Sequence, residues 1–330
     1  MVKILLTHIP DMLKNYYGER ALAALQALGE VRLNDTGKVL DAKALTEAAR
    51  GCAIVVSDRQ TAALAEFFVS APDLVAFLRV AVDIRNIDVA AASSAGVLVT
   101  HATPGFTASV AEMAVGFMVD LGRSVTDYST VYRSGRVPEA HMGRQLKGAT
   151  VGIIGYGVIG EYLAQLALAL GMTVLIADPY KTVSDKALHQ VALPDLLEQS
   201  DFVVCLAIAN EATENLMNAA AFARMKRSAF FINLSRGNLV DEAALAAALD
   251  NKIIAGAALD VGRAPDQMPS PFLARRADVI ATPHSAGLTP DAAEHQAFDT
   301  ANQVKELIAG RIPPGAANAA AAHRLSRLKP

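Results

Sequence analysis

The segment Val151–Tyr180, VGIIGYGVIGEYLAQLALALGMTVLIADPY, constrains this chain more than any other. Val151–Ile154 is a short apolar run, and Gly155, Gly157 and Gly160 follow it as G-x-G-x-x-G. Glycines so spaced meet three needs: a tight turn, a backbone that can approach a pyrophosphate, and close packing of helix on strand. The apolar spacing that follows predicts a helix to about Ala169, with Gly171 as its left-handed stop. Thr173–Ala177 reads as a second strand ending at Asp178. That acid lies close to the ~20 residues beyond the glycine motif at which a carboxylate binds an adenosine ribose diol. Strand, glycine turn, helix and acid together imply a dinucleotide site. Its phosphates would face the helix N-terminus beside Tyr156, Gly157, Val158 and Ile159. A carboxylate at Asp178 disfavours a 2′-phosphate, so NAD is expected over NADP, with Lys181 softening that preference.

The chain has 330 residues, which suggests about two domains. A 52% hydrophobic content is enough for sizeable cores, and a net charge of −3 offers no general basic surface to a nucleic acid. The opening MVKILLTHIPDM reads as a first strand rather than a secretory signal. No apolar run approaches the ~18 residues of a membrane span. Cys52 and Cys205 stand far apart in apolar runs, as buried thiols rather than a disulfide or metal ligands. A cytoplasmic protein without a metal is expected.

Before the glycine motif, apolar runs at Val2–His8, Val31–Leu33, Ala53–Ser57, Val75–Val82 and Val97–His101 alternate with helical spacing. Those helical stretches are Tyr17–Leu28 (ending at Gly29), Leu45–Ala49, Thr61–Phe68 and Ile87–Ala92. Such alternation makes a parallel sheet. Ser109–Arg123 is an apolar-faced helix expected to continue beyond Asp127 towards Arg133, and Ser134–Leu146 reads as a loop. After Asp178 the pattern repeats, with strands at Asp201–Ile208, Ala229–Leu234, Ile253–Val261 and Val279–Thr282. Between and after them come helices at Leu193–Gln199, Ala219–Met225, Glu242–Asp250 and Pro290–Ala309. Arg311–Pro330, with Pro313-Pro314 and an alanine run, reads as a solvated or partner-draped tail.

In open parallel sheets, ligands bind outside the carboxyl ends of the strands. Gly155 and Asp178 lie at such ends; so do Asn233, Ser235 and Arg236 after FFINL, Asp260 after AGAAL and His284 after VIATP. A guanidinium beside an imidazole on the rim of a dinucleotide site suits hydride transfer to a carbonyl. The arginine holds a carboxylate and polarises the carbonyl, and the histidine gives or takes the proton.

These blocks resemble the D-isomer-specific 2-hydroxyacid dehydrogenase family over nearly the whole chain. The similar stretches are LKGATVGIIGYGVIG, ADPY, INLSRGNLVDEAAL, GAALDV, ATPHSAGLT, the NID of Asn86–Asp88 and PGFTASVAE of Pro104–Glu112. The resemblance implies an α/β fold of two doubly wound parallel-sheet domains. A Rossmann NAD-binding domain at 102–288 would interrupt a flavodoxin-like substrate domain at 1–101 and 289–330. It also implies a homodimer with its active site in the interdomain cleft, acting on a small 2-hydroxy or 2-oxo acid. Arg236 matches the family's substrate-binding arginine, His284 its acid/base histidine, and Asp260 an acid on the nicotinamide side. Val158, Ile159, Ala207, Leu234 and Gly287 fall on cofactor-contact positions, and Ser235, Arg236 and His284 face the cofactor with them.

Two departures stand out. The family's glutamate partner for the histidine is replaced near Pro265, leaving Asp266 or Gln267 as substitutes. The glycines that precede NID in the family, whose amides bind the substrate carboxylate, are replaced in Val80-Ala81-Val82-Asp83. There Asp83 either repels an anion, with Arg79 or Arg85 to compensate, or contacts a hydroxyl or amine group instead. The expectation is an NAD-dependent dehydrogenase with Arg236, His284 and Asp266 as catalytic groups. Two alternatives stay open: an NAD(H)-binding regulatory homologue, and a dehydrogenase with an atypical substrate.

Overall fold

The structure, a computed structural model, describes residues 1–328 and separates into two compact units, 1–106 with 289–330 and 107–288. Lys329 and Pro330, the end of the expected tail, lie outside the described residues. The first crossing between units follows Phe106.

The first unit carries five parallel strands, β1 (Val2–Leu6), β2 (Gly29–Leu33), β3 (Ile54–Ser57), β4 (Ala76–Arg79) and β5 (Leu98–His101), in the order β2-β1-β3-β4-β5. Successive side chains of a strand point to opposite faces. Ile4 and Leu6 therefore enter one core with Leu25, Val56, Leu78, Val304 and Leu307, while Leu5 enters the other with Val55, Phe67, Phe68 and Phe77. Both faces are covered, which is why these strands read as continuous apolar runs. The three phenylalanines of the second face pack edge to face, with centroids 5.3 to 6.1 Å apart.

Several local expectations shift here. Gly29 opens β2 instead of ending the preceding helix, because its Cα lies against Val2; a Cβ there would stand 2.4 Å from the Val2 carbonyl oxygen. The helix expected from Thr61 begins at Ala65, since Ala63 is bridged to Ile87. The C-terminal stretch is tied to its own unit rather than running free. Ala316 bridges Thr100, Asn318 holds Val99 N and Val97 O, and Arg324 donates to the carbonyls of Ala71 and Leu74.

The second unit has a seven-stranded parallel sheet in the order β12-β11-β10-β9-β6-β7-β8. Its strands are β6 (Thr150–Ile154), β7 (Thr173–Ala177), β8 (His189–Gln190), β9 (Phe202–Cys205), β10 (Phe230–Asn233), β11 (Gly256–Leu259) and β12 (Val279–Ala281). The two-residue β8 is too short to leave an apolar signature. The long helix Thr107–Arg123 buries Val110, Ala111, Ala114, Phe117 and Met118, one stripe at helical spacing. It stops where continuity was expected. Ser124 turns left-handed (φ 52°), and the Asp120 carboxylate accepts from the amide and hydroxyl of Thr126, starting a new helix at Val125–Arg133. No helix among the described residues is long and apolar enough to cross a membrane.

Candidate active site

At the end of β6, Gly155 turns left-handed (φ 96°), and a Cβ there would sit 2.7 Å from the Ala207 backbone nitrogen. Gly160 allows its helix to lie against the turn; a Cβ would come within 2.3 Å of the Gly155 carbonyl oxygen. Gly157 is different: the space beside its Cα is open. It precedes the helix Val158–Ala169, whose N-terminus has no side-chain cap, so the first amides and the positive dipole end face outward. This uncapped, unobstructed cradle fits a pyrophosphate.

Asp178 ties the next strand to the same turn. Its Oδ2 accepts from the Tyr156 amide at 2.8 Å, and its Oδ1 from the amides of Tyr180 and Lys181 at 2.8 and 3.1 Å. Partial burial raises this carboxyl's pKa, but the three amides and the Lys181 charge outweigh that and hold it below the usual carboxylate range. Oδ2 keeps acceptor capacity for a ribose hydroxyl. Two apolar side chains stand exposed at the start of the cradle helix and after β9, Val158 and Ile208. Ile208 was read as the last residue of a strand, but the strand ends at Cys205 and leaves it exposed.

The carboxyl ends of β9, β10, β11 and β12 continue this rim. Buried Asn233 accepts from the Ser235 amide and donates to the Arg236 carbonyl, and the Ser235 hydroxyl donates to the Ala207 carbonyl at 2.5 Å. Leu234 is buried beneath them. The half-buried Arg236 donates from one guanidinium nitrogen to the Ser235 carbonyl at 2.7 Å. Gly237 lies flush on Gly262, where a Cβ would meet the Gly262 carbonyl carbon at 2.1 Å. The arginine loop and the loop after β11 are thereby in backbone contact.

Asp260 organises the histidine loop from within. Its carboxylate accepts from the Thr282 hydroxyl (2.5 Å) and the amides of Ser285 (2.8 Å) and Ala286 (3.0 Å), and its carbonyl accepts from the His284 amide (2.9 Å). Its carboxylate therefore sits beneath the 282–286 loop, only 2% of the residue being exposed. Half-buried His284 is left-handed (φ 53°), and its Nδ1 lies 2.9 Å from the backbone carbonyl of Asp266. The contact expected from an Asp266 carboxylate or a Gln267 amide is made by a main-chain oxygen instead. Gly287 follows Ala286 at the end of this loop.

In the other unit, Arg79 makes no ion pair with Asp83 and acts on it only through its charge at a distance. It is fully buried, and its guanidinium donates to the carbonyls of Asp58 and Thr61 and to Asn86. Burial lowers its pKa to about 10, partly offset by Asp58 and Asp83. Arg85 takes the compensating role: its Nε and Nη2 fork onto the Asp83 carboxylate at 2.5 to 3.0 Å. The Val80 amide is spent on Ser57, whereas those of Ala81 and Val82 have no hydrogen-bond partner among the described residues. The β4 end thus keeps two open donors, although Val80 and Ala81 bury their side chains.

Comparison with known proteins agrees with this geometry. The model of the D-isomer specific 2-hydroxyacid dehydrogenase NAD binding domain matches residues 115–286. The (S)-sulfolactate dehydrogenase of Chromohalobacter salexigens is 34% identical over 305 residues, 91% of this chain and 98% of that protein. A D-3-phosphoglycerate dehydrogenase of Synechocystis is 34% identical over 246 residues, 73% of this chain, which spans only 44% of that longer relative. The D-lactate dehydrogenase structure from Escherichia coli superposes with a TM-score of 0.79 at 25% identity, covering 96% of this chain and 100% of that one. A glycine turn with room for a pyrophosphate, an acid hydrogen-bonded to that turn and these likenesses lead to one conclusion: the chain belongs to the D-isomer specific 2-hydroxyacid dehydrogenase family and is an NAD-dependent oxidoreductase.

Proposed function

We propose that this enzyme interconverts a small 2-hydroxy acid and its 2-oxo acid, with Arg236 as substrate anchor and His284 as acid/base. The observation that carries the reading is the placing of Arg236, His284 and the glycine cradle on one rim of one parallel sheet. Bound NADH supplies the hydride. The Arg236 fork holds the substrate carboxylate and offsets negative charge growing on the carbonyl oxygen. The His284 imidazolium then gives that oxygen a proton, and in the oxidative direction the neutral ring takes it back.

A panel of 2-oxo acids, including that of sulfolactate, assayed with NADH and NADPH, tests this reading. Turnover of at least one acid is expected, with NADH bound at least about tenfold more tightly than NADPH, or ~1.4 kcal/mol, through Asp178. No turnover with any acid, alongside tight NADH binding, would favour a regulatory homologue. Arg236→Lys is expected to cut kcat/KM by about a hundredfold and leave NADH affinity nearly intact, because an ammonium cannot reproduce a bidentate fork. Normal turnover by that variant removes Arg236 as the anchor.

The same proposal includes a cytoplasmic homodimer. Two free buried cysteines suit a reducing compartment. Val119, Val125, Tyr132, Val137 and Met142 expose apolar side chains along one continuous stretch, as a subunit contact would use. Sedimentation of the dilute protein as a monomer only would remove the dimer.

A further inference from the structure

We propose that the backbone carbonyl of Asp266 locks His284 in its Nδ1–H form, making Asp266 a positioning residue that acts through its main chain. This rests on the reading of His284 as acid/base. A carbonyl oxygen can only accept, so the ring nitrogen 2.9 Å from it must carry a hydrogen. Proton traffic is then confined to Nε2, which is a base in the neutral ring and an acid in the cation. A carbonyl also has no proton to lose or gain, so the lock holds at every working pH. A carboxylate partner would titrate and add its own charge.

The turn that aims this carbonyl is unusual. Asp266 (φ 57°, ψ 26°) and Gln267 (φ 61°) are both left-handed without being glycine, next to the left-handed His284. Side chains adopt this conformation rarely, and such residues gather where the surroundings over-determine them. Here the turn is closed by Gly262 N to Gln267 O (2.8 Å), Ala264 N to Met268 O (3.1 Å) and Met268 N to Pro265 O (3.3 Å). Gly262 allows that closure, since a Cβ there would stand 2.6 Å from the Pro269 Cα. The buried Oε1 of Gln267 has no hydrogen-bond partner among the described residues, and the ring Nδ1 meets the Asp266 carbonyl, not this amide. Pro265, standing where a glutamate is expected, opens the turn that brings a main-chain oxygen to the ring.

Nitrogen-15 spectra of histidine-labelled enzyme, with the His284 signals identified by their loss in His284→Gln, report the tautomer directly. The neutral ring is expected as Nδ1–H. Asp266→Val disfavours the left-handed turn and is expected to give mixed tautomers and a lower kcat with NADH affinity kept. Asp266→Asn, whose side chain tolerates that conformation, is expected to restore the Nδ1–H form and a kcat at least about tenfold above the valine variant. An Nε2–H ring in the native enzyme overturns the proposal. So does an asparagine variant as impaired as the valine one, which would make the carboxylate the partner. If Asp266→Val no longer binds NADH, the native tautomer and the asparagine variant decide. Full turnover by His284→Gln would instead overturn the acid/base reading itself.

Discussion

His284→Ala is expected to lower kcat by about three orders of magnitude in both directions while NADH still binds. A positioned acid or base contributes roughly 10²–10⁴ to a proton-coupled step. On the proposed reading, alanine removes the ring nitrogen that serves the substrate oxygen, whereas the cradle at Gly155–Gly160 belongs to another loop and stays whole. The loop itself survives the change, because Asp260 grips it through Thr282, Ser285 and Ala286, none of which is altered. Steady-state rates with the best acid of the panel, set beside NADH titration by fluorescence, make the check. A variant keeping more than about a tenth of native turnover would take His284 out of the chemistry.

The second large effect is on stability in mild acid and comes from His8. This ring is buried at the carboxyl end of β1 against Tyr17, with centroids 5.1 Å apart, and its Nδ1 has no hydrogen-bond partner among the described residues. Burial lowers its pKa from 6.5 to about 4; Asp58 works against the shift and Arg79 adds to it. The sign follows from linkage. Between about pH 6.5 and 4 the unfolded chain binds a proton that the folded one refuses, so stability is whole above this window and falls with pH inside it. The full shift corresponds to on the order of 3 kcal/mol, with about 2 kcal/mol gone by pH 5. Asp58, whose carboxyl is held low by Thr61, Thr7 and His8 against the effect of burial, adds its own loss only below the ordinary carboxylate range. His8→Phe keeps a ring against Tyr17 and removes the titration. Urea unfolding of the two proteins between pH 7 and 5 is expected to show the native curve falling and the phenylalanine curve nearly flat. Parallel curves would assign the acid sensitivity to another group.

Much of the architecture was legible because its causes are local. A strand buried on both faces must be apolar throughout, so β3, β7, β9 and β10 were visible as runs. Gly155 and Gly160 leave no room for a Cβ, and Asp178 stands where the next strand ends, so the cradle was written in spacing alone. The same alternation placed Arg236, Asp260 and His284 on one rim, since every strand of a parallel sheet ends on the same side.

What stayed hidden depends on which group meets which after folding. Helical periodicity runs on through Ser124, and only the reach of Asp120 to Thr126 shows why the helix restarts there. The polar, proline-bearing end of the chain resembles a free tail until Asn318 and Arg324 are seen meeting the backbone of the first unit. Of two arginines near Asp83, composition could not choose; the fold buries Arg79 among carbonyls and leaves Arg85 in reach of the carboxylate. The sequence named Asp266 as a candidate beside His284, but not the atom, a main-chain oxygen, which every residue carries. By itself the amino-acid sequence determined the strands, the glycine cradle and the side of the sheet on which the polar residues gather, because period, volume and chain direction are local properties. Tertiary structure alone decided the ion pair, the helix break and the atom that faces the histidine, because those depend on distances between residues remote in the chain.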